Sequence, residues 1–251
     1  MNKVYIFLSI LFLYSCTGRK IKSDLNNARI KGNVKTITEM VYSTNELDGK
    51  SKKNNLESKI IKRYDTKGNL LTENVYMKIQ QKEFLYSQVV YKYDDRGNQV
   101  EINFIGLNDS IEGKQVCKYD TKGNRIEEEG YKADGKFGGK SILLYDDQGN
   151  LIKRQNLIIN IESIINYMYD SKNNIIEENR YNSGDSLYMR IKYTYDEKNN
   201  QTSLNKYNPD KLIQSITYKY ENFDKNENWL TKNEFYEKKL EIIIEREIEY
   251  Y

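Results

Sequence analysis

Histidine is absent from the 251 residues, which excludes every His-based triad, His general base and His metal ligand. The two cysteines, Cys16 and Cys117, are too few for a zinc cage or a disulfide framework. Excess charge of one sign is missing too: 40 Lys and Arg against 37 Asp and Glu leave +3, and no polyanion partner is implied. Basic and aromatic residues could suit a single-stranded nucleic-acid groove, but the interspersed Asp and Glu cancel its field, so no nucleic acid is expected. Apolar residues are also scarce. With tyrosine left out and glycine counted they make up roughly 34% of the chain, against 45–50% for an ordinary globular domain. The core must be thin, or built from the 23 tyrosines.

No run is long enough to span a bilayer as a helix. The one apolar stretch, Val4 to Tyr14, follows Lys3 and has the plan of an export signal. It ends in Leu13-Tyr14-Ser15-Cys16, which resembles the bacterial lipobox, where cleavage leaves an acylated cysteine at the new N-terminus. The reading is a signal peptide over 1–15, lipidation of Cys16 by acyl chains of the palmitate class, and a lipidated N-terminus and tether over 16–29. Each buried methylene contributes about 0.8 kcal/mol, so a multiply acylated cysteine holds a chain on a membrane without a spanning segment. The expected location is the cell envelope, at the outer membrane, with the leaflet left open.

What is abundant is self-similarity over residues 30–251. Tyr64-Asp65-Thr66-Lys67-Gly68-Asn69 returns at Tyr93-Asp94, Tyr119-Asp120, Tyr145-Asp146, Tyr169-Asp170 and Tyr195-Asp196, at intervals of 24 to 29 residues. A degenerate seventh copy begins at Tyr220-Glu221 and runs to Asn228-Trp229. In Asp-x-x-Gly the Asp side chain can accept from the following backbone N–H groups, and the fourth residue must take positive φ. Gly68, Gly97, Gly123 and Gly149 fill that place, and the exceptions are Asn173 and Asn199, the residue type that best tolerates it. Asp65, Asp94, Asp120, Asp146 and these glycines and asparagines are therefore structural turn residues of β-hairpins. Alternation such as Tyr91-Lys92-Tyr93 and Tyr193-Thr194-Tyr195 gives the strand before each turn, and a looser turn closes each period.

Tyr-Asp-x-x-Gly-Asn, with a Tyr seven residues beyond the Asn in four copies, resembles the YD repeat of RHS-type proteins over most of the chain. That resemblance implies an all-β fold, an antiparallel hairpin array forming a twisted or spiralled meander. About fourteen strands at about 4.8 Å would make a sheet near 67 Å across. The small size favours an open array, although closing, spiralling and staying open are all compatible with the sequence. A membrane-spanning barrel is not expected, because strict alternation puts Glu73, Glu128 and Glu178 on the face of the apolar residues two positions before them.

Rows of Tyr91, Tyr167 and Tyr193 have two readings: the core itself, or a ligand-facing aromatic row for glycan. Cys117 occupies the same place in its copy and reads as core filler, and Glu127-Glu128-Glu129 as a solvated strand. Lys or Arg beside the turn carboxylates argues against a calcium cage. No cofactor, metal or catalytic residue is expected. The functional expectation is a non-enzymatic, lipid-anchored binding or scaffolding surface for glycan or another envelope protein. The alternative that the resemblance implies is a component of a contact-dependent toxin or immunity system.

Overall fold

The structure is a computed structural model that describes residues 23–47, 50–79, 82–158 and 161–251. The expected signal peptide, Cys16 and residues 17–22 lie outside them. After a short helix α1 (Asp24–Asn27) come β1 (Val34–Leu47), β2 (Lys50–Tyr64), β3 (Leu70–Ile79), β4 (Lys82–Tyr93), β5 (Gln99–Ile105), β6 (Ile111–Tyr119), β7 (Arg125–Lys132) and β8 (Phe137–Tyr145). The second half holds β9 (Leu151–Ile158), β10 (Ile161–Tyr169), β11 (Ile175–Tyr181), β12 (Leu187–Tyr195), β13 (Gln201–Asn208), β14 (Lys211–Phe223), β15 (Trp229–Tyr236) and β16 (Lys239–Tyr250). Each strand pairs antiparallel with its neighbours in sequence, and β1 pairs with β16, so the meander is a closed barrel. The expected all-β hairpin array is what forms, but with sixteen strands and no open edge among the described residues. Closure runs from Val34 opposite Tyr250 to Ser43 opposite Ile242, and pairs backbone groups that an open sheet would leave free.

The turns form as the residue pattern dictates. In one copy the Gly123 N–H donates to the Asp120 carbonyl at 3.1 Å, and the Asp120 N–H to the Asn124 carbonyl at 2.9 Å. The Asp120 carboxylate accepts from the Lys122 N–H at 2.9 Å, the Asn124 N–H at 2.8 Å and Asn124 Nδ2 at 2.9 Å. Burial raises the Asp120 carboxyl, but these hydrogen bonds outweigh it and leave it below its ordinary value. Asn173 at φ 60° and Asn199 at φ 63° replace the glycines, as expected. The seventh turn lies inside the expected copy, at its end rather than directly after Tyr220. It is made by Asp224 and Asn228, with Glu227 at φ 62°, while Tyr220 lies three residues before the end of β14.

A register shift at the mouth of each of the first six repeated hairpins changes the expected faces. Tyr64 pairs with Leu70 and Arg63 with Thr72, so Leu71 is an extra residue and the alternation beyond it is offset by one. Leu70 is 1% exposed, whereas Leu71 is 40% exposed. Glu73, Glu128 and Glu178 consequently face the interior, where they are buried. The expectation that these carboxylates share a face with Leu71, Ile126 and Ile176 is corrected by the bulge. The outer face carries other charges, including Lys118 at 2.6 Å from Glu127 and 2.8 Å from Glu129, and Lys92 at 2.7 Å from Glu101. Such a surface suits water rather than hydrocarbon.

Tyrosine joins one repeat to the next. The Tyr93 hydroxyl donates to the Leu70 carbonyl at 2.7 Å, Tyr119 to Gln99 at 2.8 Å, Tyr145 to Arg125 at 2.8 Å and Tyr169 to Leu151 at 2.9 Å. Tyr195 to Ile175 at 2.8 Å, Tyr220 to Gln201 at 2.9 Å and Tyr251 to Tyr64 at 2.6 Å continue around the rim. The strand stagger explains the pattern. The β3–β4 pairing ends at Thr72 opposite Val90, so the Leu70 carbonyl lies beyond the ladder and takes a hydroxyl instead. Tyr195→Phe should cost about 1–2 kcal/mol by leaving the Ile175 carbonyl without this donor. A urea midpoint equal to wild type would refute the assignment.

Candidate functional site

One rim of the barrel is crossed by the N-terminal segment. The Leu25 side chain is 4% exposed and packs with Val34, Ile37, Tyr64 and Leu70, while its N–H donates to the Gly68 carbonyl at 3.1 Å. Gly68, at φ 83°, leaves no room for a Cβ, which would stand 2.8 Å from Ser23 Oγ. Asp24 Oδ2 accepts from the Leu70 N–H at 2.8 Å and lies 2.6 Å from the Tyr93 hydroxyl, whose one proton it shares with the Leu70 carbonyl, and burial raises this carboxyl above its ordinary value. The segment then reaches other turns. Arg29 Nη1 donates to the Asn199 carbonyl at 2.9 Å, and the Lys31 N–H to Asn228 Oδ1 at 2.8 Å. Residues 23–29, expected to belong to the tether, thus form together with Lys31 a strap anchored on three turns.

Between this strap and the rim lies a cleft of about 200 Å³, lined by Arg29, Lys31, Lys198, Tyr220, Glu227, Trp229 and Arg246 among others. Lys31 pairs with Glu227, both well exposed. Lys198 Nζ lies 5.1 Å from the Phe223 ring centroid. Arg246 is different in kind: its side chain is 8% exposed, and its guanidinium lies 3.4 Å from the Trp229 ring centroid. Nη2 and Nε donate to Glu39 Oε1 at 2.5 and 3.1 Å, while Nη1 has no partner. Glu39 also accepts from Lys62 at 3.1 Å. Burial raises the Glu39 carboxyl, but Lys62 and Arg246 outweigh it and hold it well below the usual carboxylate range.

Behind the cleft the interior is filled by polar networks. Glu128 accepts from Arg125 at 3.1 Å and Arg154 at 2.5 Å, and Arg154 also donates to Ser141 at 3.0 Å and Asn156 at 2.9 Å. Glu178, fully buried, accepts from the Tyr193 hydroxyl at 2.7 Å and Arg180 at 3.0 Å. Glu128 is therefore an interior residue, while Glu127 and Glu129 on either side of it pair with Lys118 outside. Strict alternation survives beyond the bulge, but the solvated reading holds only for the two outer members.

Tyr167 and Tyr193 are buried in one apolar cluster with Leu143, Leu151, Ile175 and Ile191, and Tyr91 packs against the other. The Tyr167 and Tyr193 rings fill the barrel, while Tyr91 is half-buried. Burial pushes the Tyr167 hydroxyl up to about 12. Cys117 is buried too, and burial pushes its thiol up. The repeated turn residues Asp65, Gly68, Asp94, Gly97, Asp120, Gly123, Asp146 and Gly149 hold hairpins, as read from sequence. Asn199 alone among them also borders the cleft. Arg29, Trp229 and Arg246 could not be singled out beforehand, since they meet only when the barrel closes. Among the described residues no trio of Cys, Asp or Glu gathers in a metal-holding arrangement.

No family model and no curated protein matches the chain. Among solved structures it is similar to a porin-like protein from Bacteroides uniformis, at 11% identity and a TM-score of 0.42, over 86% of this chain and 98% of that one. A porin-like protein from Bacteroides vulgatus gives 12% and 0.36, over 88% and 99%. TcdB2-TccC3 without its hypervariable C-terminal region gives 10% and 0.33, over 79% of this chain and 14% of that one. Scores and identities this low carry nothing over to the cleft.

Proposed function

We propose that this chain is a lipid-anchored, non-enzymatic protein of the cell envelope whose YD-repeat barrel presents a binding site for an envelope component, a glycan or a partner protein. The observation that carries the binding role is the cleft at the strapped rim. It collects Arg29, Lys31, Lys198 and Arg246 in one lining against the single carboxylate of Glu227. The lipobox-like run ending at Cys16 supports the anchor. A strap beginning seven residues after that cysteine sets this rim within roughly 25 Å of the membrane, since an extended chain spans at most about 3.3–3.6 Å per residue.

Two measurements test the reading. Cys16→Ser should abolish incorporation of an alkyne-labelled palmitate and move the protein from the membrane fraction to the soluble one; unchanged fractionation would remove the anchor. Incubating the purified full-length protein with envelope glycans and envelope extract should give capture without turnover. Release of sugar or peptide fragments would make it an enzyme instead.

A further inference from the structure

We infer that the cleft between the strap and the rim is a receptor for an oxyanion, a carboxylate or phosphate carried at the end of a small polar ligand. The inference rests on the binding role proposed above and names the chemistry that the same site selects.

The charge arrangement points to an anion. A guanidinium as buried as that of Arg246 is expensive to desolvate, and its one carboxylate partner is divided: Glu39 serves both Arg246 and Lys62. The next carboxylate inward, Glu73, has one oxygen with no hydrogen-bond partner and is 3.9 Å from Lys62. Lys232 adds a third cation, 5.9 Å from the Trp229 ring that also carries Arg246, and is itself held by Glu234 at 2.8 Å. The charges of this wall balance among themselves, and the excess of positive charge lies in the cleft lining, where Arg29, Lys31 and Lys198 stand with Arg246 against the single carboxylate of Glu227. An incoming oxyanion offsets that excess of positive charge.

The geometry limits what enters. Stacking on Trp229 and two bonds to Glu39 fix the plane of the Arg246 guanidinium, so it is presented rigidly. Arg29 is positioned at the mouth by its bond to the Asn199 carbonyl, and Lys198 stands on the adjoining turn as a point charge. Lys31 is already engaged by Glu227 and contributes less. A volume of about 200 Å³ is below the roughly 300–1,000 Å³ of sites that enclose a drug-sized ligand, so the cleft takes a terminal group and leaves the rest of the ligand outside.

Calorimetric titration of the detergent-solubilised full-length protein with glucuronate, glucose 6-phosphate, inorganic phosphate and glucose tests this. Glucuronate or glucose 6-phosphate should bind, with the tighter of the two identifying carboxylate or phosphate as the natural oxyanion, and added salt should weaken either. Glucose should give no heat. The double variant Arg29→Asn, Lys198→Gln should weaken anion binding roughly tenfold or more with the barrel still folded by circular dichroism, since both side chains are exposed, Arg29 ties down only the strap, and Asn suits the φ of 57° at position 29. Arg246→Lys, which retains a cation for Glu39 but loses the planar stack on Trp229 at the cleft floor, should weaken binding as well; if it unfolds, the double variant decides. Equal binding of glucose and glucuronate, or full anion affinity in the double variant, overturns the inference. Capture of neutral envelope glycans with no response to any anion overturns it while sparing the broader binding role; no capture of any envelope component removes both.

Discussion

Glu178→Ala should be among the most destabilising single substitutions in the barrel, lowering the unfolding free energy by about 3–5 kcal/mol. The residue is fully buried between the Tyr193 hydroxyl and the Arg180 guanidinium. Truncation leaves a hydroxyl and a cation without their acceptor, in a layer already packed by Tyr167 and Ile191, and removes a side chain that fills volume. Glu178→Gln keeps an acceptor for Tyr193 and should cost less. Because a whole domain is stable by only about 5–15 kcal/mol, the alanine variant should unfold at a far lower urea concentration. A loss under about 1 kcal/mol would mean that the interior is wet enough to solvate Arg180, and the description of a filled barrel would fail.

Acidification should destabilise the protein through Glu39. Its folded carboxyl titrates well below its ordinary value, so the unfolded chain takes up this proton first as pH falls. The stabilisation is complete above the unfolded value and is lost progressively as pH drops from about 4.5 through the folded value. The turn residues Asp94, Asp120, Asp146, Asp170 and Asp224 act in the same direction, each held low by hydrogen bonds that outweigh the effect of burial. Asp24 and Glu73 oppose them, since burial raises both and the folded state favours their protonated forms. Glu39→Ala should remove part of the acid sensitivity and also cost about 3–5 kcal/mol at neutral pH, by leaving Lys62 and Arg246 with no shared carboxylate. Thermal melts of wild type and variant from pH 7 to pH 3 check both effects; parallel curves would refute the assignment.

The hairpin turns were legible because their chemistry is local. Asp120 reaches only as far as Asn124, and Asn173 and Asn199 disclose a positive φ through the residue types that tolerate it. The seventh turn was legible in the same terms, from Asp224 and Asn228 four residues apart, but the Tyr-first pattern drew the boundary to Tyr220. There the hydroxyl to Gln201 is retained while the turn itself has slid three residues on. The inward faces were not legible, because a single extra residue such as Leu71 inverts the parity of everything after it. Closure was hidden as well. Nothing local in Val34 to Ser43 or Ile242 to Tyr250 says that they meet, and the cleft, which needs Arg29, Trp229 and Arg246 together, is a product of that meeting.

Pairing of the first strand with the last gives the molecule a seam rather than two ends. Val34 stands opposite Tyr250, and the Tyr251 N–H donates to the Asn33 carbonyl at 3.0 Å. A short linker across that seam, with the chain reopened at the exposed Asn182–Asp185 turn, would give a circularly permuted protein with the same ring of contacts. Topologically, the barrel has no privileged starting strand. What makes the native origin special is the crossing segment that precedes it, and with it the membrane attachment proposed for this rim.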